Sequence, residues 1–97
     1  KGFIYLPFAG TITQVVLLAN ASGSCVIDIK KSTYSGFPTT SSICASAKPT
    51  LSSAQKSKDS TLTGWTTSFS ADDVLEFNVD SATTVTRVNL ILSVSIT

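Results

Sequence analysis

The sequence predicts an all-β fold, a single antiparallel β-sandwich of about seven or eight strands. Apolar residues recur at a period of two rather than 3.6, which is the pattern of half-buried strands. The alternating stretches are short, and residues that favour turns separate them. The chain has 97 residues, which fit one domain, so we assign 1–97 to a single domain.

The strands follow from this alternation. In the last predicted strand, one face carries the apolar residues Val88, Leu90, Leu92, Val94 and Ile96. Ile91 is an apolar exception on the other face. Leu75, Phe77 and Val79 alternate with polar residues in the same way. We predict strands at Phe3–Phe8, Thr11–Ala19, Ser24–Lys31, Thr50–Ser52, Leu62–Phe69, Val74–Val79 and Val85–Ile96.

Turn-forming residues mark the ends of these strands. Gly23 can adopt a positive φ, so Asn20–Ser24 is expected to form a loop. Ser70–Asp73 and Asp80–Thr84 are expected to form turns, and Ser32–Pro49 a longer loop that carries aromatic residues. The segment after Ser52, "SSAQKSKDS", is expected to hold a single helical turn with that serine as its N-cap.

Composition argues against several classes of function. Charged residues make up 13% of the chain and the net charge is +1, so no cationic stripe for nucleic acid is present. No apolar run reaches the roughly 20 residues of a membrane span. The chain has no histidine for a hydrolytic triad or a zinc site, and no glycine-rich phosphate loop. We therefore expect no enzyme, no cofactor and no metal.

Two cysteines, Cys25 and Cys44, leave two interpretations open. They can be free, buried thiols that pack as small apolar residues, or they can form one disulfide. A disulfide would indicate an oxidising compartment. "NAS", Asn20 to Ser22, has the form of an N-glycosylation site in a predicted loop.

Aromatic and acidic residues in the predicted loops are the candidates for ligand binding. Trp65 is the one tryptophan, and it either anchors a core or interface or stacks on a sugar ring with Tyr34 and Phe37, joined by Tyr5. Asp72 and Asp73 are typical turn carboxylates that a ligand could also use. The candidate ligand or interface residues are therefore Trp65, Tyr34, Phe37, Asp72 and Asp73.

The segments "PFAGTIT", "SGSCVIDIKKSTYSGFP", "KPTLSSAQKS" and "LTGWTTSFSADDVLEFNVDSATTVTRVNLIL" together resemble a β domain that recurs in structural proteins of tailed bacteriophages. The resemblance runs from Phe8 to Leu92 and is strongest over Lys48–Leu92. It implies a jelly-roll-like sandwich in a tail-fibre, tail-tip or minor virion protein, exposed on the virion after assembly in the bacterial cytoplasm. It implies a trimer and no catalytic residues.

We expect a non-enzymatic virion module, a tail-fibre or receptor-binding head that contacts host-surface glycan as a homotrimer. A capsid decoration or head-fibre protein on the major capsid protein is one alternative, and a secreted carbohydrate-binding module is another. The receptor-binding head and the capsid decoration protein would both have other virion proteins as partners. Val15, Leu17 and Ile91 are candidates for the subunit interface, because they lie on strand faces opposite the main apolar ones. The chain starts at Lys1, and we expect it to belong to a longer protein.

Overall fold

The all-β class is confirmed. The computed structural model describes residues 2–96, and these form seven antiparallel strands in one sheet without a helix. No helix among these residues is therefore long and apolar enough to cross a bilayer. The strands are β1 (Gly2–Leu6), β2 (Gly10–Ser32), β3 (Ser41–Ser42), β4 (Thr50–Asp59), β5 (Ser68–Phe69), β6 (Asp73–Thr83) and β7 (Val88–Ile96).

The 23-residue strand β2 is the centre of the sheet. Along one edge it pairs with β7 over its first half and with β6 over its second half. Along the other edge it pairs with β5, β4 and β3 in turn. Strand β1 pairs with β6 and lies at the margin of the sheet. Every strand except β1 thus pairs directly with β2.

The predicted loop at Asn20–Ser24 is instead part of β2. Two predicted strands are therefore one, and the irregularity between them is a bulge. The five residue steps from Leu18 to Gly23 lie opposite only two steps of β4, from Lys56 to Ala54. Surplus residues on one edge bend a strand, and the small residues in this stretch allow the bend.

The side chain of Asn20 connects this bulge to the link between β6 and β7. Its carbonyl oxygen accepts hydrogen bonds from the backbone N–H groups of Thr86 (3.2 Å) and Arg87 (2.9 Å). Its amide nitrogen donates to the Thr86 hydroxyl at 2.9 Å. The asparagine of the glycosylation motif thus satisfies backbone groups that lie outside the sheet ladder.

Three further expectations differ from the structure. The predicted turn at Asp80–Thr84 falls mostly within β6, which continues to Thr83 and pairs there with β2. The segment predicted to hold a helical turn is part of β4, where Lys56 and Lys58 pair with the first half of β2. The predicted strand Leu62–Phe69 contracts to Ser68–Phe69, because Leu62 and Gly64 adopt positive φ values of 52° and 77°, which lie outside the extended region of a regular strand.

The core consists of two clusters of buried side chains. The larger one brings Ile12 and Val15 from the first half of β2 against Ile29 from its second half, so the bent sheet packs onto itself. The smaller one contains Leu17, Cys25, Ile27 and Leu51 near the bulge. Leu90 of β7 packs against both clusters and connects them.

Candidate functional site

The loop that follows β2 lies against the face of β1 that points away from the larger core cluster. The ring of Phe37 meets Phe3 edge-on, with centroids 5.2 Å apart. The ring of Tyr34 meets Tyr5 in the same geometry at 6.4 Å. Edge-to-face pairs are a favourable arrangement for aromatic rings. The two pairs therefore hold the loop beside the end of the sheet.

The turn between β5 and β6 lies next to this loop. The buried carboxylate of Asp73 accepts a hydrogen bond from the Ser70 N–H at 2.9 Å, and the Asp73 N–H donates to the Ser70 carbonyl at 3.2 Å. Asp72 adopts a φ of 73°, and its N–H donates to the Leu6 carbonyl at 2.7 Å. Asp73 thus closes the turn, while Asp72 presents its side chain to solvent.

Tyr5 and Asp72 form a direct hydrogen bond, in which the phenol donates to the carboxylate. This bond to the carboxylate is the main cause that raises the pKa of Tyr5 above its ordinary value, and desolvation adds to it. The phenol therefore stays protonated at neutral pH. One Asp72 oxygen is occupied by Tyr5, and a carboxylate has further acceptor positions for a ligand.

The loop and the turn enclose an open pocket of about 800 Å³ that is lined mainly by polar residues. Lys31 lies in its wall, where its ammonium donates to the Ser68 carbonyl at 2.9 Å and is 3.9 Å from the Asp73 carboxylate. Ser32 also lines the pocket and is 8% exposed. Its hydroxyl has no hydrogen-bond partner among the described residues. The Ser32 oxygen is itself sealed from solvent, so a ligand in the pocket does not reach it without a local rearrangement.

The structure brings together three of the five residues that the sequence singled out. Tyr34, Asp72 and Asp73 line the pocket. Phe37 is adjacent but lies outside the lining, against Phe3. Trp65 is 9% exposed in the larger core cluster, so its ring is not available for stacking.

Lys31 and Ser32 are two pocket residues that the sequence analysis did not single out. Lys31 is the last residue of a predicted strand and Ser32 the first residue of the predicted loop, and both residue types are ordinary at such exposed positions. Their position where the strand leads into the aromatic loop could have identified them. Binding residues often lie in loops and at the strand ends that hold those loops.

Two of the three expected interface residues are not on the surface. Val15 and Leu17 are 2% and 1% exposed because they lie on the face of β2 that packs into the core, whereas Leu18 on the opposite face is 46% exposed. They therefore cannot present their side chains to a second subunit. Ile91, by contrast, is 41% exposed on β7.

Both cysteines are free and buried. Burial raises the pKa of the Cys44 thiol to about 11, and it raises the pKa of the Cys25 thiol as well. The two residues belong to different core clusters, so each packs as a small apolar side chain.

A second polar cluster lies at the opposite end of β6 from the pocket. The Lys48 ammonium is 2.8 Å from the Asp80 carboxylate and 3.8 Å from that of Asp28. Asn78 donates to Asp80 at 2.6 Å, and Ser42 donates to Asp28 at 2.6 Å. The bonds from Lys48 and Asn78 lower the pKa of Asp80 below its ordinary value. The Lys48 ammonium interacts with both carboxylates, and residues 2–96 contain no cluster of three or more His, Cys, Asp or Glu side chains that could hold a metal ion.

An apolar cleft of about 540 Å³ opens between the margin strand β1 and strand β7. Its walls come from the alternating faces that the sequence predicted, and they carry no charged residue. The lining residues are Gly2, Phe3, Ile4, Leu6, Ile27, Phe69, Leu75, Phe77, Val79, Val88, Leu90, Leu92 and Val94.

No protein-family model, curated protein sequence or solved structure matches this chain. The case for a function therefore depends on the geometry of the pocket and the cleft.

Proposed function

We propose that the chain is a non-enzymatic bacteriophage virion module, a tail-fibre or receptor-binding head that binds host-surface glycan in the pocket beside Tyr34. One observation carries this proposal. Tyr34 and Asp72, which are 38 positions apart in the sequence, line one open pocket, where an exposed aromatic ring and an exposed carboxylate are both available to a ligand. Aromatic faces and oriented polar groups are what a sugar requires of its binding site.

Each part of the pocket suits one part of a sugar. The Tyr34 ring is 71% exposed and offers an apolar face to the C–H side of a pyranose. The Asp72 carboxylate accepts hydrogen bonds from ring hydroxyls. The ammonium of Lys31 already interacts with Ser68 and Asp73, so we expect a neutral rather than an acidic sugar to be preferred.

The rest of the proposal concerns how the module is displayed. We propose that the bent sheet corresponds to a jelly-roll-type sandwich, exposed on the virion as a homotrimer beside other virion proteins and assembled in the host cytoplasm. The sequence resemblance and the low charge support this arrangement. One open pocket per chain gives weak binding, and three pockets on a rigid head can increase apparent affinity by about 10²–10⁴ when they engage together.

Glycan binding is tested by screening the purified chain against an array of bacterial surface oligosaccharides, followed by NMR titration of the best binder. We expect Tyr34→Ala and Asp72→Asn each to weaken binding at least about tenfold, the loss of one good contact. Asp80→Asn is the matched control, because it removes a carboxylate from the other polar cluster, and it should leave affinity unchanged. No binding at millimolar sugar, or equal binding by all variants, would refute the glycan proposal.

The location in the virion is tested separately with fluorescently labelled chain. A tail-fibre head should bind host cells and should lose that binding with Tyr34→Ala. Binding to capsids but not to cells would instead support the decoration-protein alternative. A monomer that binds soluble polysaccharide but neither cells nor capsids would support the secreted carbohydrate-binding module.

A further inference from the structure

The apolar cleft between β1 and β7 exposes side chains that ordinarily fill a core. Ile4 is 48% exposed, Val79 51% and Val94 38%, although each belongs to an alternating apolar face. Leu75 and Leu6, deeper in the same cleft, are buried. The cleft is thus an extension of the core that is open to solvent on one side.

Free backbone edges flank this cleft. Among the described residues, β1 pairs only with β6, and β7 pairs only with β2. The outward edge of each strand therefore has N–H and C=O groups without strand partners. The segment Val88–Ile96 contains no charged residue and no proline, two of the features that commonly protect an edge strand from pairing.

Strand β4 shows the contrast. Within residues 2–96 it too pairs on one side only, with β2. It carries Lys56 and Lys58 along its length, and charged side chains of this kind oppose edge-to-edge pairing. The chain therefore protects one of its long edge strands and leaves β7 unprotected.

We propose that a second copy of this chain occupies the cleft, with its strand edge added beside β7 and its apolar side chains against Ile4, Val79 and Val94. A strand fits the site better than a small apolar molecule, because only a strand satisfies the free backbone groups along the edges. A second copy fits because its own β7 offers the required alternating apolar row. Since neither side of the contact is charged, copies meet without opposing like charges.

The exposed apolar side chains would form a small contact. Ile4, Val79 and Val94 line the cleft and are 48%, 51% and 38% exposed. The nine-residue edge of β7 extends this contact, because an added strand also covers the backbone groups along that edge. The contact therefore belongs to the class of small, weak interfaces, which dissociate on dilution.

This inference rests on the self-association part of the proposed function. It places the contact between copies at the cleft, whereas the sequence had suggested Val15 and Leu17. The test is light scattering on the whole chain over a dilution series, for the wild type, Val79→Lys and Ile91→Lys. Ile91 is the matched control, because it is similarly exposed but lies on the other face of β7. Trp65 fluorescence and urea unfolding check that each variant is folded.

We expect the wild type to form a multiple of the 10.1 kDa chain that dissociates on dilution. Val79→Lys should weaken association at least about tenfold, since a lysine would be desolvated in the cleft, whereas Ile91→Lys should not change it. A wild type that is monomeric at millimolar concentration overturns the inference, as does association that Ile91→Lys abolishes and Val79→Lys spares. A monomer that still binds sugar through Tyr34 would overturn this inference alone and leave the glycan proposal intact.

Discussion

At the scale of the residue, Trp65 illustrates how one side chain can stabilise an irregular segment. Its indole N–H donates to the Ala47 carbonyl at 2.8 Å, while its ring packs in the larger core cluster. The backbone of Thr66 also donates to the Ile43 carbonyl at 2.9 Å. The segments 43–47 and 62–66 have little strand pairing, so these contacts hold them to the sheet.

We predict that Trp65→Phe lowers the free energy of unfolding by about 1–3 kcal/mol, because the Ala47 carbonyl loses its donor inside the protein. Urea unfolding followed by circular dichroism measures this change. Sugar binding should be unaltered in the variant, and the emission of Trp65 in the wild type should not respond to sugar. A variant as stable as the wild type, or one that loses sugar binding, would contradict this assignment.

The sequence alone could narrow the role of such residues but not decide it. The position of Asp72 and Asp73 in a turn could be predicted, because a turn depends on only a few neighbouring residues. The meeting of Asp72 with Tyr34 depends on the path of the whole loop, and no local pattern encodes it. Trp65 is compatible with a core or with a sugar platform until its surroundings are known.

Asp80 provides a residue-scale prediction for pH. Its pKa lies below the ordinary value of 3.8 because Lys48 and Asn78 donate to the carboxylate. A carboxylate with a lowered pKa in the folded state contributes stability above pH 3.8, and this contribution is lost as pH falls through the lower, folded-state pKa. We therefore expect Asp80→Asn to be less stable than the wild type at pH 7, and the difference to shrink to zero in strong acid. Urea midpoints measured from pH 7 to pH 2 test this, and a constant difference would refute it.

At the scale of the element, the bulge in β2 decides the architecture. It lets one strand run through both core clusters and pair with five other strands. Gly23 lies at the bulge, where a Cβ atom would lie 2.5 Å from the Thr83 carbonyl oxygen and 2.9 Å from a methyl of Val85. The close approach of β2 to the link between β6 and β7 thus requires a residue without a side chain.

We predict that Gly23→Ala destabilises the fold by about 1–3 kcal/mol, the usual cost of inserting a methyl group into a closely packed site. Gly2→Ala is the matched control, since a Cβ atom there would meet nothing within 4 Å, and its effect should stay within about 0.5 kcal/mol. Urea midpoints of the two variants decide the matter. Equal midpoints would show that the bulge can relax around a methyl group.

Strand periodicity revealed some elements and concealed others for physical reasons. Strand β7 and the two halves of β2 were predictable because one face of each is continuously apolar. Strand β4 was predicted only over Thr50–Ser52, because its exposed edge position leaves the rest mostly polar, with Leu51 and Ala54 as its contribution to the smaller cluster. The sequence did not reveal that β2 is one continuous strand, because Asn20 and Gly23 are typical of a loop but here lie in a bulge.

At the scale of the whole molecule, the two clusters are connected by β2 and by Leu90 rather than by a separate linker. Trp65 reports on the larger cluster, which also contains Cys44, and Cys25 reports on the smaller one. Among the described strands, all except β1 pair with β2, and both core clusters contain residues of β2. Opening one cluster would therefore disturb the strand on which the other cluster depends. We therefore expect the two clusters to unfold together in one cooperative step, as small domains usually do.

We predict that Trp65 fluorescence and thiol labelling of Cys25 give the same urea midpoint, measured in a Cys44→Ala variant so that only one thiol reacts. Labelling should be negligible below the transition, because Cys25 is 1% exposed and burial raises the pKa of its thiol. The reciprocal Cys25→Ala variant reports on Cys44, whose pKa of about 11 leaves roughly one thiol in a thousand ionised at pH 8. Labelling of Cys25 at urea concentrations where Trp65 is still buried would show that the smaller cluster opens independently, and that the bulge in β2 is a boundary between two folding units.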